Sequence, residues 1–297
     1  MLHAPLGPYY GPRFSPDGKR LAFSMVKDNG RDIWVKDLDR DAPSRLSFLP
    51  GVNRLPLWTP DGKSIVFRSD NSAAPGLCAI RSDGSGEVKR LTEGKATANP
   101  ASFSPDGKLL AISTTGKNGR PRDLFKVPVE ADAGPVGPGR RLGKPEPFLG
   151  TPISESLPAF SPDGHWLAYQ SDESGTPEVY VRPFPEPGSR WQVSTGVGGS
   201  LRWSHDGREL LFNASDRRLM AAPSIGKGES FVAGKPRVWT EIPARQGRFA
   251  LAYDITPDAK RLAAMVADDA GDDKLPTHPT FLSSFFDELR RKAPVGN

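Results

Sequence analysis

The stretch AFSPDGHWLAYQ, Ala159–Gln170, decides how this chain folds. Ala159-Phe160-Ser161 ends an extended run. Pro162-Asp163-Gly164 is a turn: proline presets φ, aspartate bonds the backbone ahead of it, and glycine takes the positive φ. Trp166-Leu167-Ala168-Tyr169-Gln170 is β-branched or aromatic enough to read as the returning strand. The phrase is therefore a hairpin. It recurs as FSPDGKRLAF from Phe14, WTPDGKSIVF from Trp58, FSPDGKLLAI from Phe103, WSHDGRELLF from Trp203 and ITPDAKRLAA from Ile255. Successive starts are 44, 45, 57, 43 and 52 residues apart. A period in this range is the signature of a repeat architecture.

A third extended run follows in most copies, as in Ile33-Trp34-Val35 and Val179-Tyr180-Val181. A fourth ends near Arg45-Leu46, Arg90-Leu91, Pro147-Phe148-Leu149, Gln192-Val193 and Val238-Trp239. Four strands per repeat make one blade of a β-propeller. The expected fold is all-β: a single domain over residues 1–297, with six four-stranded blades beginning near 14, 58, 103, 160, 203 and 255. In the sixth repeat only strands A, B and a short third run near Thr280-Phe281-Leu282 are visible. Residues 1–6 are expected to supply the missing outer strand and close the ring. Phe285-Phe286-Asp287-Glu288-Leu289-Arg290-Arg291 reads as a short amphipathic helix, about 283–292. The excess length between Ala131 and Gly143, rich in Gly and Pro, reads as a loop inside the third blade, and Ile225 to Gly234 as a longer connection in the fifth.

The phrase aromatics Phe14, Trp58, Phe103, Phe160 and Trp203 are expected to pack between neighbouring blades. The turn aspartates Asp17, Asp61, Asp106, Asp163, Asp206 and Asp258 are expected to serve their own turns, not a metal. Two copies depart from the pattern. His205 replaces the turn proline, and Ala259 replaces the turn glycine, which implies a different turn or local strain.

No apolar run is long enough to span a membrane. The start, MLHAPLGPYYGPRF, has neither the basic nor the apolar segment of a secretory signal. The expectation is a soluble chain, cytoplasmic if complete and periplasmic if it is part of a membrane-anchored protein. Cys78 is the one cysteine, so no internal disulfide forms. The net charge of +5 is spread over every repeat with nearly as many acidic residues, which argues against nucleic-acid binding. No G-x-S-x-G elbow, H-E-x-x-H or phosphate loop occurs. No cofactor is expected, and monomer is the default for a closed ring.

Six SPDG-type phrases, each followed by an apolar strand, resemble the repeats of TolB-type propellers. Ser161–Phe212, then GKPRVW at Gly234–Trp239 and FFDELRR near the end, also resemble the C-terminal propeller of certain bacterial serine/threonine protein kinases. That resemblance implies a sensor or interaction module. The kinase parts themselves, including H-R-D and D-F-G, do not occur, so no kinase activity is expected.

In a propeller the D-to-A and B-to-C loops share the face around one mouth of the central channel. Phrase alignment puts Tyr9, Tyr10, Asn53, Arg54, Asn99, Glu155, Ser156, Ser200 and Arg248 there. Asp28, Arg31, Asp70, Arg120, Asp172, Glu173 and Arg217 fall on adjoining turns. This mixed-charge rim suits an unidentified protein, peptide or small-molecule ligand. An enzymatic alternative, a metal-dependent propeller lactonase or a lyase, needs several oxygen ligands converging on the channel. Glu155 and Asn99 are the candidates.

Overall fold

The computed structural model describes residues 9–27, 30–40, 42–71, 75–92, 98–114, 122–131, 140–196, 198–227, 230–240, 253–264 and 280–283, except the side chains of 131, 140, 227 and 280–283. All regular structure among them is β-strand, arranged in six antiparallel sheets. Each phrase is the hairpin the sequence implies. The six inner strands are Tyr9–Phe14, Asn53–Trp58, Ala98–Phe103, Glu155–Phe160, Gly199–Trp203 and Tyr253–Ile255, and each pairs with the strand that follows its turn. Sheets 1, 2 and 4 have four strands in sequence order. Sheet 6 has three described strands, the last being Thr280–Ser283. The strand proposed for residues 1–6 and the terminal helix lie outside the described residues.

The outer edges of sheets 3 and 5 differ from expectation. The Ala131–Gly143 segment is not all loop: Arg140–Leu142 pairs with Leu124–Ala131, beside Glu146–Leu149 on the same strand. In sheet 5, Ser230–Ala233 pairs with Leu219–Lys227, with Ile225 opposite Val232. The cross-strand pair of β-branched residues favours a hairpin where Gly content alone suggests a loop.

Six buried clusters hold the sheets together, and each spans one seam. Trp58, Ile65 and Phe67 pack on Ala22, Ile33 and Val35. Phe160 and Leu167 pack on Ala111 and Leu124. Tyr253, Leu262 and Ala264 of sheet 6 pack on Leu211, Leu219 and Trp239 of sheet 5. Ala263 of sheet 6 lies in one cluster with Tyr9, Phe14 and Leu21 of sheet 1, so the last sheet meets the first. With sheets on both sides, Ser64–Ser69 is buried at every position, and such a strand reads as a continuous run instead of alternating. The phrase aromatics pack back onto the preceding sheet. Both tryptophans add a hydrogen bond: Trp58 Nε1 donates to the Arg13 carbonyl at 2.8 Å and Trp203 Nε1 to the Ala159 carbonyl at 3.1 Å.

The turn is one hydrogen-bonded unit built six times. The Ser or Thr after the aromatic donates its hydroxyl to the turn aspartate, at 2.6–2.7 Å for Thr59, Ser104, Ser204 and Thr256. The same hydroxyl accepts the N–H of the first residue of the returning strand, at 2.9–3.0 Å. The aspartate accepts the N–H two residues on, at 3.0–3.1 Å. These carboxylates are thus engaged in their own turns. The hydroxyl bond, foremost, holds Asp17, Asp106, Asp206 and Asp258 below the usual carboxylate range.

The turn glycine has a second reason to be glycine. A Cβ on Gly62, Gly164, Gly207 or Gly18 would meet Cδ of the turn proline of the preceding sheet (Pro16, Pro105, Pro162 and Pro257) at 3.2–3.7 Å. The seam between sheets 5 and 6 is where both residues depart from the pattern, with His205 in place of proline and Ala259 in place of glycine. The turn itself is unchanged: Ala259 N–H donates to the Thr256 carbonyl at 2.8 Å and Ala259 keeps φ +56°. Of the two alternatives at Ala259, local strain is the one realised. Left-handed φ costs a non-glycine residue about 1 kcal/mol or more, part of which glycine returns as unfolded-chain entropy. Ala259→Gly is therefore expected to raise Tm by about 1–3 °C in a thermal melt.

Candidate functional site

The inner strands do not run straight. Register shifts interrupt their pairing between Tyr10 and Arg13, Arg54 and Leu57, Ser156 and Ala159, and Gly199 and Arg202. At each shift one residue has positive φ: Gly11 (+58°), Leu55 (+59°), Leu157 (+54°) and Ser200 (+50°). Sheet 3 has Pro100 at this place, which cannot adopt that φ; there Pro100 pairs with Ile112 and Ser102 with Ala111, so the extra residue of the inner strand is Ala101. Bulges re-aim side chains, and here they lie along the channel. Leucine in the left-handed region is uncommon, so Leu55 and Leu157 hold a costly conformation where they line the channel wall.

At the upper end, where the inner strands begin, the candidate residues fall into two groups. Tyr9, Asn53 and Ser200 are buried. Tyr9 packs on Phe23 with ring centroids 5.2 Å apart, and burial pushes its hydroxyl up to about 12. Asn53 Nδ2 donates to the Leu49 carbonyl at 3.1 Å, beside Asp32, which pairs with Arg45 at 2.6 Å. Tyr10, Arg54 and Asn99 instead join one basic cluster. The Arg31 guanidinium lies 3.7 Å from the Tyr10 ring centroid. Arg54 and Arg68 both grip Asp70, at 2.6 and 2.7 Å. Arg68 Nη1 donates to Asn99 Oδ1 at 2.8 Å. Two guanidinium groups thus share one carboxylate, and the third, Arg31, stands beside them on the Tyr10 ring. Burial lowers the proton affinity of Arg31 and Arg68, and each also feels Arg54. The Nε atoms of Arg31 and Arg54 are buried without a hydrogen-bond partner.

Across the channel the sign reverses. Glu155 is 3% exposed; Thr151 Oγ1 donates to its Oε1 at 2.6 Å and its Oε2 has no partner. Burial raises its pKa, with Asp123, Asp172 and Glu173 adding to the effect. Asp172 accepts the Ser154 N–H at 2.9 Å, and Glu173 pairs with Arg190 at 2.9 Å. Ser156 Oγ donates to Gln170 Oε1 at 3.0 Å. Arg217 lies in the turn after Glu209–Asn213, with φ +69°. Arg248, Asp28 and Arg120 lie outside the described residues.

Sequence reasoning missed the interior of the channel. The position just before each phrase aromatic holds Leu57, Ser102 and Ala159 in sheets 2, 3 and 4, but Arg202, Asp254 and Arg13 in the consecutive sheets 5, 6 and 1. The signal was in the alignment as a change from small or apolar to charged residues. Arg202 Nε lies 3.2 Å from Asp254 Oδ1, and Asp254 Oδ2 accepts the Phe14 N–H at 2.7 Å. Burial raises the Asp254 pKa, and Arg202 opposes the rise. Above this level the channel is narrow, with room of about 20 Å³ between Arg13, Leu55, Asn99, Ser156, Leu157 and Arg202, enough for one water. Below it opens to about 220 Å³.

Residues 6–130 match the family model of the TolB beta propeller domain. An uncharacterized peptidase of Bacillus subtilis is 25% identical over 207 residues, covering 57% of this chain and 31% of that protein. The chain spans about half or less of the length of the curated relatives it matches. TolB from Acinetobacter baumannii superimposes with TM-score 0.57 at 19% identity, covering 78% of this chain and 56% of that one. An oligogalacturonate lyase in complex with manganese superimposes with TM-score 0.58 at 12% identity, covering 90% and 73%. The TolB-type match covers residues 6–130, and the fold as a whole is that of a β-propeller; similar folds serve both TolB and an enzyme.

Glu155 supplies a pH test. Its folded pKa is raised, so the folded protein binds the proton more tightly and stability falls as pH rises from the unfolded value toward the folded one. Glu155→Gln is expected to raise Tm relative to the parent at pH 7, with the difference vanishing near pH 3, well below the ordinary glutamate range, where the parent is protonated in both states. Equal differences at both pH values would contradict the assignment.

Proposed function

We propose that this TolB-type propeller is a non-catalytic binding module that receives a protein, peptide or small polar ligand at its upper mouth. The observation that carries the reading is the two-signed rim. Arg54 and Arg68 share Asp70 on one side, with Arg31 near enough to feel both charges, while Glu155, Asp172 and Glu173 stand on the other. Such a rim orients a ligand with separated charges, and Tyr10, braced by Arg31, gives it a rigid aromatic surface. No helix among the described residues is long and apolar enough to cross a membrane. A role as the sensor portion of a larger signalling protein is supported by the resemblance of Ser161–Phe212 and Gly234–Trp239 to kinase-associated propellers.

The lyase neighbour supports a second reading, metal-assisted catalysis at the same mouth. The residues present do not fit a divalent cation there. Asn99 Oδ1, one of the two candidate ligands, already accepts a guanidinium N–H. Among the described residues no three His, Cys, Asp or Glu side chains come together to hold an ion.

Affinity capture with the intact protein as bait identifies the partner, and the Tyr10→Ala/Arg54→Ala double variant tests the face. Loss of binding by at least tenfold, with the melting curve retained, is the expected result. Unchanged affinity would remove the upper mouth from consideration. A stoichiometric divalent ion found by elemental analysis would favour the catalytic reading.

A further inference from the structure

The wide lower end of the channel is a second site, separate from the upper rim. It is walled by Phe14, Ser15 and Pro16 of sheet 1, Trp58 of sheet 2, Trp203 and His205 of sheet 5, and Ile255, Thr256 and Pro257 of sheet 6. Arg13, Arg202 and Asp254 form its ceiling, where the channel narrows. Arg13 is 8% exposed. Its Nη2 reaches the Ala101 carbonyl of sheet 3 at a long 3.4 Å, and its Nη1 is buried with no partner. Asp254, the single carboxylate at this level among the described residues, is already bonded to the Phe14 N–H and faces Arg202. Two guanidinium groups therefore meet one occupied carboxylate, in a cavity whose walls are polar and apolar in equal measure. A buried cationic donor left unsatisfied is costly, and an anion supplied from outside removes that cost.

We propose that this vestibule is a carboxylate-binding site in which Arg13 Nη1 is the principal donor and Arg202 adds charge. The acid it takes is compact. The cavity of about 220 Å³ is smaller than pockets for drug-sized ligands, and Trp58, Trp203, Pro16 and Pro257 offer an apolar enclosure to the rest of the molecule. A carboxylate on a short apolar body fits, either a free organic acid or the C-terminus of a peptide entering from below. Arg13 is also the residue that separates the vestibule from the upper mouth.

Calorimetric titration with N-acetyl-leucine and with its amide tests the site. The acid is expected to bind at least tenfold more tightly than the amide. Arg13→Gln removes that preference, and Arg13→Lys keeps part of it. If Arg13→Gln does not fold, His205→Glu, an exposed change at the rim of the vestibule, serves instead and weakens the acid several-fold. The Tyr10→Ala/Arg54→Ala variant leaves acid binding unchanged, so failure at one mouth is distinguishable from failure at the other. A pentapeptide ending in leucine that binds more tightly than N-acetyl-leucine identifies a chain terminus as the ligand; equal or weaker binding identifies a small acid. Equal affinity for acid and amide, no binding of either at millimolar concentration, or full acid preference in both Arg13→Gln and His205→Glu would overturn the proposal.

Discussion

Five of the six seams of the ring depend on one contact, the phrase aromatic of a sheet laid back on the sheet before it; at the seam between sheets 5 and 6 Ile255 takes that place beside Tyr253. A single antiparallel sheet this small cannot bury both its faces. Stacked side by side, the sheets remove from water central strands such as Ser64–Ser69 and Trp166–Ser171, which would otherwise be exposed on two sides. The hydroxyl, aspartate and glycine of the turn fix where the aromatic stands. The turn proline then covers the next glycine, so adjacent turns also interlock. Closure follows from the same contact, with Phe14 of sheet 1 on Ala263 of sheet 6.

Closing the ring converts local variation into function. One position of the phrase faces the centre in every sheet, so a charged residue there costs little in one hairpin yet changes the channel shared by all. Asp254 shows the coupling: the same side chain seals the last seam through the Phe14 N–H and balances Arg202. The bulges at Gly11, Leu55, Leu157 and Ser200 shape the channel wall, and at the leucines the strained backbone persists because the neighbouring sheets hold it.

Much of this was legible in the sequence because it is repeated. Six copies of the turn specify the hairpin, the aromatic and the spacing, and Trp58 and Phe160 sit where the phrase puts them. What varies between copies was harder to read. Tyr9, Asn53 and Ser200 align with the rim but are buried, because the inner strands begin inside the packed sheets. The basic cluster depends on Arg54 and Arg68 of sheet 2 meeting at Asp70 while Arg31 of sheet 1 lies alongside on Tyr10, an approach between sheets that no spacing reveals. Arg13 and Arg202 align in the phrase, yet only ring closure brings sheets 5, 6 and 1 together. The Arg140–Leu142 and Ser230–Ala233 strands were obscured by Gly and Pro nearby, where composition speaks for loops and pairing decides otherwise.

The most direct test is native-state hydrogen exchange at the Phe14 amide, the donor to Asp254 across the closing seam. If the ring is closed as described, this amide exchanges as slowly as the inner-strand amides of sheets 2 and 4, and Asp254→Ala accelerates it selectively. Fast exchange of Phe14 in the unaltered protein, with the other inner strands protected, would mean the seam is open, and the channel with its two mouths would not exist as a continuous site.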